Sequence, residues 1–246
     1  MRRAAPIIAC LLLAVLPGAA QARHAHHVHR HAAAASQPVV VELFTSQGCS
    51  ACVSADRLLN QLADRPGVLA LTFAVDYWDY LGWNDTFARP EFSARQKAYM
   101  ERQSLRDLYT PQVIVDGKGQ VAGAEPKKID SLIVKAAHAR THPPHMKFVR
   151  RSRVQIGPGP RPEGGADVWL VRYDPLLHQV TVKRGENRGQ TLAQRNVVRE
   201  LVRLGGWSGK KRSYAVPAPL AGDSGLRTVV LLQAAKGGRI LGVLQR

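Results

Sequence analysis

Two cysteines separated by two residues, Cys49 and Cys52, follow an apolar segment and open a helical pattern, and this arrangement constrains the fold more than any other feature of the chain. Residues 39–44 are apolar except for Glu42, which is typical of a buried strand. The three leucines in residues 58–62 share one face of a helix. Two cysteines at such a strand-to-helix junction can form a structural disulfide, a cycling dithiol or a metal site.

The spacing of the two cysteines also suits dithiol exchange. Free N–H groups and the helix dipole stabilise a thiolate at a helix N-terminus, so Cys49 is the expected nucleophile. Cys52 lies one turn later, where it can attack and resolve a mixed disulfide formed by Cys49. We therefore expect Cys49 to face solvent with a depressed thiol pKa, and Cys52 to be shielded by the first turn of the helix.

The segment 37–140 alternates strand and helix patterns. After the cysteine pair, the sequence predicts the following elements: a strand at 68–75, a helix at 90–104, a hairpin around 113–122 and a helix at 126–139. This order is typical of an α/β domain with the cysteine pair at its first strand-to-helix junction.

Paired prolines in residues 141–144 interrupt any helix or strand, which favours a linker there. Strand-like runs separated by Pro- and Gly-rich turns dominate residues 146–246, although residues 196–204 fit a helix or a strand equally well. Residues 141–246 contain 19 Lys and Arg against 6 Asp and Glu, whereas the two kinds of charge cancel in residues 37–140. We therefore predict a basic, mostly-β second domain after the α/β domain.

The N-terminus has the pattern of a secretory signal peptide over residues 1–22, with two arginines, an apolar run at 7–16 and small residues at the end. The apolar run is about half as long as the roughly 20 residues of a transmembrane helix. We therefore expect a periplasmic or secreted protein with no transmembrane segment once the signal is removed. The low-complexity composition of residues 23–36 predicts a disordered His- and Ala-rich tail. This tail is either solvated or a loose metal site.

Several long motifs resemble a known family. In the first segment they are VVVELFTSQGCSAC, VDYWDYLGWNDTFARPEFSARQ and YTPQVIVDG, and in the second ADVWLVRYDP and RGENRGQTLAQRNVVREL. They resemble secreted thioredoxin-like proteins of a family catalogued as a domain of unknown function. The resemblance implies a thioredoxin-like α/β domain followed by a mostly-β second domain, and it supplies no substrate. Val53 and Ser54 replace the prolines that the family usually has after the second cysteine. The redox potentials of other members therefore cannot be assigned to this chain.

The resemblance also implies functions for residues outside the cysteine pair. In thioredoxin-like proteins a Thr-Pro pair with a cis peptide bond packs beside the cysteines and presents backbone to the substrate, which identifies Thr110 and Pro111 as candidates. Glu42 resembles the buried acid that helps to deprotonate the resolving cysteine; the alternative is an outward-facing carboxylate. The aromatic segment 77–83 either lines a groove for clients or packs as core.

The sequence therefore favours an exported thiol–disulfide oxidoreductase that acts on envelope or secreted proteins through their thiols or disulfides. Cys49 and Cys52 carry the electrons, so no organic cofactor is needed. One alternative is a binding module with an inert structural disulfide, and another is a metal-handling protein that uses the cysteines and the His-rich tail. Anionic envelope components, rather than nucleic acid, are the expected partners of the basic segment after export.

Overall fold

A computed structural model describes residues 37–139, 143–219 and 225–246, which form two β-sheets and three α-helices. The strands are β1 (Val39–Thr45), β2 (Val68–Ala74), β3 (Gln112–Val115), β4 (Gly119–Ala122), β5 (Met146–Phe148), β6 (Arg153–Ile156), β7 (Ala166–Thr181), β8 (Thr191–Trp207), β9 (Arg212–Ala215), β10 (Arg227–Ala234) and β11 (Ile240–Gln245). The helices are α1 (Val53–Leu62), α2 (Pro90–Arg102) and α3 (Pro126–Ala139), with short 3-10 helices at Ser50–Cys52 and Asp79–Leu81. The predicted signal peptide and His-rich tail lie outside the described residues.

The larger sheet is mixed and has eight strands in the order β11-β10-β7-β8-β2-β1-β3-β4. Strand β1 pairs in parallel with β2 and antiparallel with β3, and the β3–β4 hairpin completes that edge. Strands β11, β10, β7 and β8 pair antiparallel with one another, and β8 pairs in parallel with β2. The smaller sheet contains β5, β6 and β9.

The predicted fold class, a thioredoxin-like α/β domain followed by a mostly-β second domain, is wrong. The described chain is mostly β, and strands from both predicted segments join one eight-stranded sheet. Its three helices are only 10, 13 and 14 residues long, and no thioredoxin-like α/β pattern is evident. The ambiguous residues 196–204 belong to the 17-residue strand β8, which lies directly beside β2. Sequence periodicity does not specify which distant strands become neighbours, so this pairing was not predicted.

Side chains strengthen the boundary between β2 and β8, where the parallel pairing consists of Thr72 opposite Val197. The Thr72 hydroxyl donates a hydrogen bond of 2.7 Å to the carbonyl oxygen of Arg195. The amide nitrogen of Asn196 donates one of 2.8 Å to the carbonyl oxygen of Ala70. Asn196 has a positive φ of 52°, a conformation that asparagine tolerates better than most residues. These two bonds connect β8 to the half of the sheet that positions the cysteines.

Alternation along β1 assigns its side chains to opposite faces of the sheet. Val39, Val41 and Leu43 pack with helices α1 and α3 in one apolar cluster. Val40 and Phe44 pack on the other face with Phe92 and Tyr99 of α2. The second cluster also contains residues of β7, β8, β10 and β11, so one apolar core spans both predicted segments.

A buried ion pair lies within the core on the α2 face. Both oxygens of Glu42 accept hydrogen bonds from Arg95, at 2.6 and 2.8 Å, and the Tyr99 hydroxyl donates another of 2.8 Å. Arg95 also donates to the side-chain oxygen of Gln233 on β10, at 3.1 Å. Burial opposes the charge of Arg95, but the neighbouring Glu42 carboxylate raises the pKa of the guanidinium above its usual value. This network therefore connects β1, α2 and β10.

Removing one partner of this pair is expected to destabilise the fold strongly. Arg95→Met leaves the Glu42 carboxylate buried without its cation, and we expect the free energy of unfolding to fall by about 3–5 kcal/mol. Denaturant unfolding measures the change. The double variant Glu42→Leu/Arg95→Met is expected to lose less, because it removes both buried charges.

Arg65→Met is the matched control, since Arg65 forms a largely exposed ion pair with Asp130. This variant is expected to lose less than about 1 kcal/mol. Equal losses for Arg95→Met and Arg65→Met would contradict a structural importance of the buried pair.

Candidate functional site

The two predicted cysteines form a disulfide with a Cα–Cα distance of 5.4 Å. Strand β1 ends at Thr45, a turn follows, and the 3-10 helix Ser50–Cys52 leads directly into α1. The Cys49 amide donates to the carbonyl oxygen of Ser46 at 3.1 Å, which closes the turn. The disulfide therefore lies at the strand-to-helix junction that the sequence predicted.

Both cysteines are buried, and this differs from the expectation that Cys49 faces solvent. Cys49 is 1% exposed and Cys52 is fully buried, whereas Ser50 and Ala51 between them are exposed. Residues from distant parts of the chain cover the Cys49 side of the turn, so the burial could not be derived from the local pattern.

The β7–β8 loop (residues 182–190) is one of these covering segments. The amide nitrogen of fully buried Asn187 donates to the carbonyl oxygens of Gln47 and Cys49, at 2.9 and 3.0 Å. The carboxylate of Glu186 accepts two hydrogen bonds from Ser50, one from the backbone N–H at 3.1 Å and one from the hydroxyl at 2.7 Å. These bonds with Ser50 lower the pKa of Glu186. The loop is therefore bonded to the backbone on both sides of Cys49.

The aromatic segment 77–83 is a second covering segment. The indole N–H of Trp83 donates to the side-chain oxygen of buried Gln47 at 3.0 Å. Trp78 lies beside Gly48, where an added Cβ would be 3.4 Å from the Cβ of Trp78. Tyr80 between the two tryptophans is 81% exposed. The segment thus combines core contacts with an exposed ring near the cysteine turn.

The cis peptide bond expected between Thr110 and Pro111 is present. The Thr110 hydroxyl accepts a hydrogen bond of 2.8 Å from the indole N–H of Trp78. Because Trp78 also contacts Gly48, it connects the Thr110–Pro111 pair to the turn that precedes Cys49. The use of Pro111 as a substrate-binding residue remains a prediction.

Glu42 does not lie on the cysteine side of β1. It alternates with Val41 and Leu43, which pack on the α1 face, and its own carboxylate binds Arg95 and Tyr99 of α2 on the opposite face. An outward-facing carboxylate is equally inconsistent with this placement, because Glu42 is fully buried. The structure therefore gives no support to proton exchange between Glu42 and Cys52.

Two other buried acids lie near the cysteine turn, and sequence reasoning missed both. Burial raises the pKa of Asp56 from 3.8 to about 7, although hydrogen bonding to the side chains of Thr45 and Gln194 partly offsets the effect. Asp56 Oδ1 accepts a hydrogen bond of 2.9 Å from the Thr45 hydroxyl, while Oδ2 is buried with no partner of good geometry among the described residues. Burial also raises the pKa of Asp85 to about 6, and its carboxylate accepts a hydrogen bond of 2.7 Å from the backbone N–H of Gln47.

The sequence does contain a signal for Asp56. It follows Cys52 by four residues and precedes Leu59 by three, so all three lie on the inward face of the helix. Side chains four residues apart on a helix have Cβ atoms about 5–6 Å from each other. Asp56 is therefore better placed than Glu42 to exchange a proton with Cys52.

No group of three or more His, Cys, Asp or Glu side chains suited to a metal ion occurs within the described ranges. The predicted His-rich tail, on which the metal-handling alternative partly depends, lies outside them. Among the described helices, none has the length and apolar composition needed to cross a membrane.

Comparisons with known proteins give a family but no activity. No curated protein matches the chain. The X-ray crystal structure of protein AGR_C_4864 from Agrobacterium tumefaciens has 32% sequence identity and a TM-score of 0.68, covering 85% of this chain and 94% of that one. HBP35 of Porphyromonas gingivalis has 12% identity and a TM-score of 0.53, covering 86% and 75%, which indicates similarity of fold alone.

The family described as "Protein of unknown function (DUF1223)" matches residues 40–233. The resemblance to a family of unknown function is thus confirmed, while its thioredoxin-like part is not supported by these comparisons. The chain belongs to the DUF1223 family.

Proposed function

We propose that the protein is an exported thiol–disulfide oxidoreductase that acts on envelope or secreted proteins. The observation that carries the proposal is the disulfide between Cys49 and Cys52, closed across two residues at the start of a helix. The N-terminal end of a helix stabilises a thiolate, which is the reactive form of cysteine. Export rests on the signal-like pattern of residues 1–22.

The exchange balances without a cofactor. In the reduced protein, the Cys49 thiolate attacks one sulfur of a client disulfide, forms a mixed disulfide and releases the first client thiolate. The Cys52 thiolate then attacks the Cys49 sulfur, closes the intramolecular disulfide and releases the second client thiolate. Two electrons pass from the protein to the client, and the two protons lost by the cysteines are taken up by the client thiolates. The reverse sequence oxidises a client dithiol.

Asp56 is the proposed proton acceptor for Cys52. A buried thiol must lose its proton before it attacks, so a neighbouring side chain that accepts the proton assists the step. The Asp56 carboxylate follows Cys52 by one helical turn, and burial raises its pKa to about 7. A base is most effective when its pKa lies near the working pH.

The burial of both cysteines favours a second candidate, a binding module with an inert structural disulfide. In that case the basic residues of the chain bind anionic envelope components, and the disulfide only stabilises the turn. Metal handling is a third alternative, which the affinity of the reduced protein for zinc tests directly. Titration of the Cys49–Cys52 pair in glutathione buffers distinguishes a cycling disulfide from an inert one.

Serine variants of the two cysteines are expected to differ in how much client protein they trap as a mixed disulfide. Cys52→Ser removes the resolving thiol, so mixed disulfides between Cys49 and client proteins accumulate. Cys49→Ser removes the nucleophile and traps few or no clients. Expression of each variant with its export signal, followed by non-reducing electrophoresis, is expected to show at least about tenfold more mixed disulfide for Cys52→Ser.

The inert-disulfide candidate gives a different result in the same experiment. It requires slow reduction of the wild-type disulfide and no trapped protein from either variant. Cys10 belongs to the predicted signal peptide, so each variant retains a single cysteine after signal removal. Equal trapping by both variants, or trapping by Cys49→Ser alone, would contradict the assigned order of attack.

We expect the pH dependence of the resolving step to follow the ionisation of the Asp56 carboxyl group. Asp56 must be ionised to accept a proton, so the rate at which Cys52 resolves a mixed disulfide should rise with pH through about 7 in the wild-type protein. Asp56→Asn is expected to slow this step by about 10²-fold and to remove the inflection near pH 7. Stopped-flow measurement of a preformed mixed disulfide on Cys49 gives both quantities.

The pH dependence of the unfolding free energy is a second measurement of the ionisation of Asp56, and the direction of its change is defined. The pKa of Asp56 is higher in the folded than in the unfolded protein, so wild-type stability should fall as pH rises from about 4 to 7 and then level off. Asp56 accounts for roughly 4 kcal/mol of this loss. Asp56→Asn should lack that part and keep only the smaller fall that Asp85, with its pKa of about 6, contributes. Asp107→Asn, at an exposed site, serves as the control for both measurements. An unchanged pH profile in Asp56→Asn would exclude the proposed proton transfer.

A further inference from the structure

We propose that the β7–β8 loop selects the client, and that the preferred client is a polypeptide with acidic residues beside its disulfide. This inference rests on the proposed exchange reaction and adds the chemical class of its substrate. The loop belongs to the segment in which positive charge is concentrated, yet it lies on the cysteine turn of the first segment. Its position beside the disulfide makes it a candidate for client recognition.

Two residues of the loop form hydrogen bonds with the turn that contains Cys49. Asn187 donates to the carbonyl oxygens of Gln47 and Cys49, and Glu186 accepts from the backbone and the hydroxyl of Ser50. Gly185 also lies 3.8–3.9 Å, measured from an added Cβ, from the aromatic segment at Leu81 and Trp83. Cys49 is only 1% exposed, so a polypeptide that reaches its sulfur has to open part of its surroundings, and these contacts belong to them.

The loop has a defined internal structure. The amide of Gly189 donates to the carbonyl oxygen of Val182 at 2.8 Å, and the Val182 amide donates to the carbonyl oxygen of Gln190 at 2.9 Å. The Arg188 amide donates to the carbonyl oxygen of Gly185 at 3.2 Å. Gly185 and Gly189 have φ angles of 78° and 81°, which other residues rarely adopt. The backbone of the loop is therefore held in a defined conformation beside the cysteine turn.

The exposed charges of the loop are mostly positive. Lys183, Arg184 and Arg188 are exposed, and Glu186 is its acid, whose carboxylate is bonded to Ser50. Arg188 follows Asn187, which bonds the Cys49 carbonyl oxygen, and Lys183 and Arg184 precede Glu186, which bonds Ser50. The three cations therefore lie within three residues of a contact with the cysteine turn. Such a cluster raises the local concentration of acidic polypeptide and disfavours basic polypeptide.

Three peptides with the same internal disulfide, flanked by glutamate, glutamine or lysine, test the inference on the reduced protein after signal removal. Closure of the Cys49–Cys52 disulfide is followed while the peptide is reduced. At low ionic strength we expect the glutamate peptide to react about tenfold faster than the glutamine peptide, and the lysine peptide to react slowest. At about 0.5 M salt these differences should largely disappear, because screening shortens the range of the charges.

The triple variant Lys183→Ser/Arg184→Ser/Arg188→Ser is expected to reduce the glutamate-to-glutamine rate ratio to about 1–2. Its matched control is Lys147→Ser/Lys210→Ser/Lys211→Ser, which removes three exposed positive charges from the part of the chain that forms the smaller sheet. The control should keep the wild-type ratio. Equal rates for the three peptides, or equal loss of preference in both variants, would overturn the inference.

Reaction of the reduced wild-type protein with uncharged 4,4′-dithiodipyridine separates this inference from the proposed function. If the small disulfide closes the Cys49–Cys52 pair while the three peptides react equally, the oxidoreductase proposal stands and the client selection by charge is wrong. If neither the small disulfide nor any peptide closes the pair, the oxidoreductase proposal itself fails.

Discussion

The ion pair between Glu42 and Arg95 is the interaction on which the rest of the structure most depends. Its oxygens and nitrogens are removed from water, so the pair is tolerated only because each group has several partners. Through those partners, β1, α2 and β10 meet in one network, and Gln233 brings in a strand from the far end of the sequence. Strand β1 leads directly to the cysteine turn, so this network also fixes the base of the candidate site.

The candidate site is assembled from segments that are far apart in sequence. Asn187 reaches Cys49 across 138 residues, and Gln194 on β8 hydrogen-bonds Gln47 across 147. These contacts exist because β8 lies beside β2, where the Asn196 and Thr72 side chains reinforce a short parallel pairing. A basic loop therefore covers a disulfide whose own segment has balanced charge. The arrangement explains why Cys49 is buried although local helix geometry predicts that it is exposed.

The acids Glu42 and Asp56 show which parts of the site can be predicted from the sequence. Glu42 was selected as the only acid in the first strand, but alternation along β1 directs it toward α2 and away from the cysteines. A single acid in a helix is usually solvated, so residue type alone does not distinguish Asp56, although its spacing from Cys52 and Leu59 marks the inward face of the helix. The raised pKa of Asp56 results from burial beneath distant residues, and no local pattern reports that burial.

The sequence by itself determined the local features: the strand before Cys49, the cysteine pair that forms the disulfide, the cis peptide bond at Thr110–Pro111, and membership of a family of unknown function. The strand and the cysteine pair depend on residue type and short-range spacing, whereas the cis peptide bond and the family are implied by the resemblance of long motifs. Only the tertiary structure decided that strands from both segments form a single mixed sheet, that residues 196–204 are strand, and that the β7–β8 loop covers the disulfide. The physical reason is that strand pairing and burial arise from contacts between residues that the chain separates by more than a hundred positions, and periodicity contains no information about such partners.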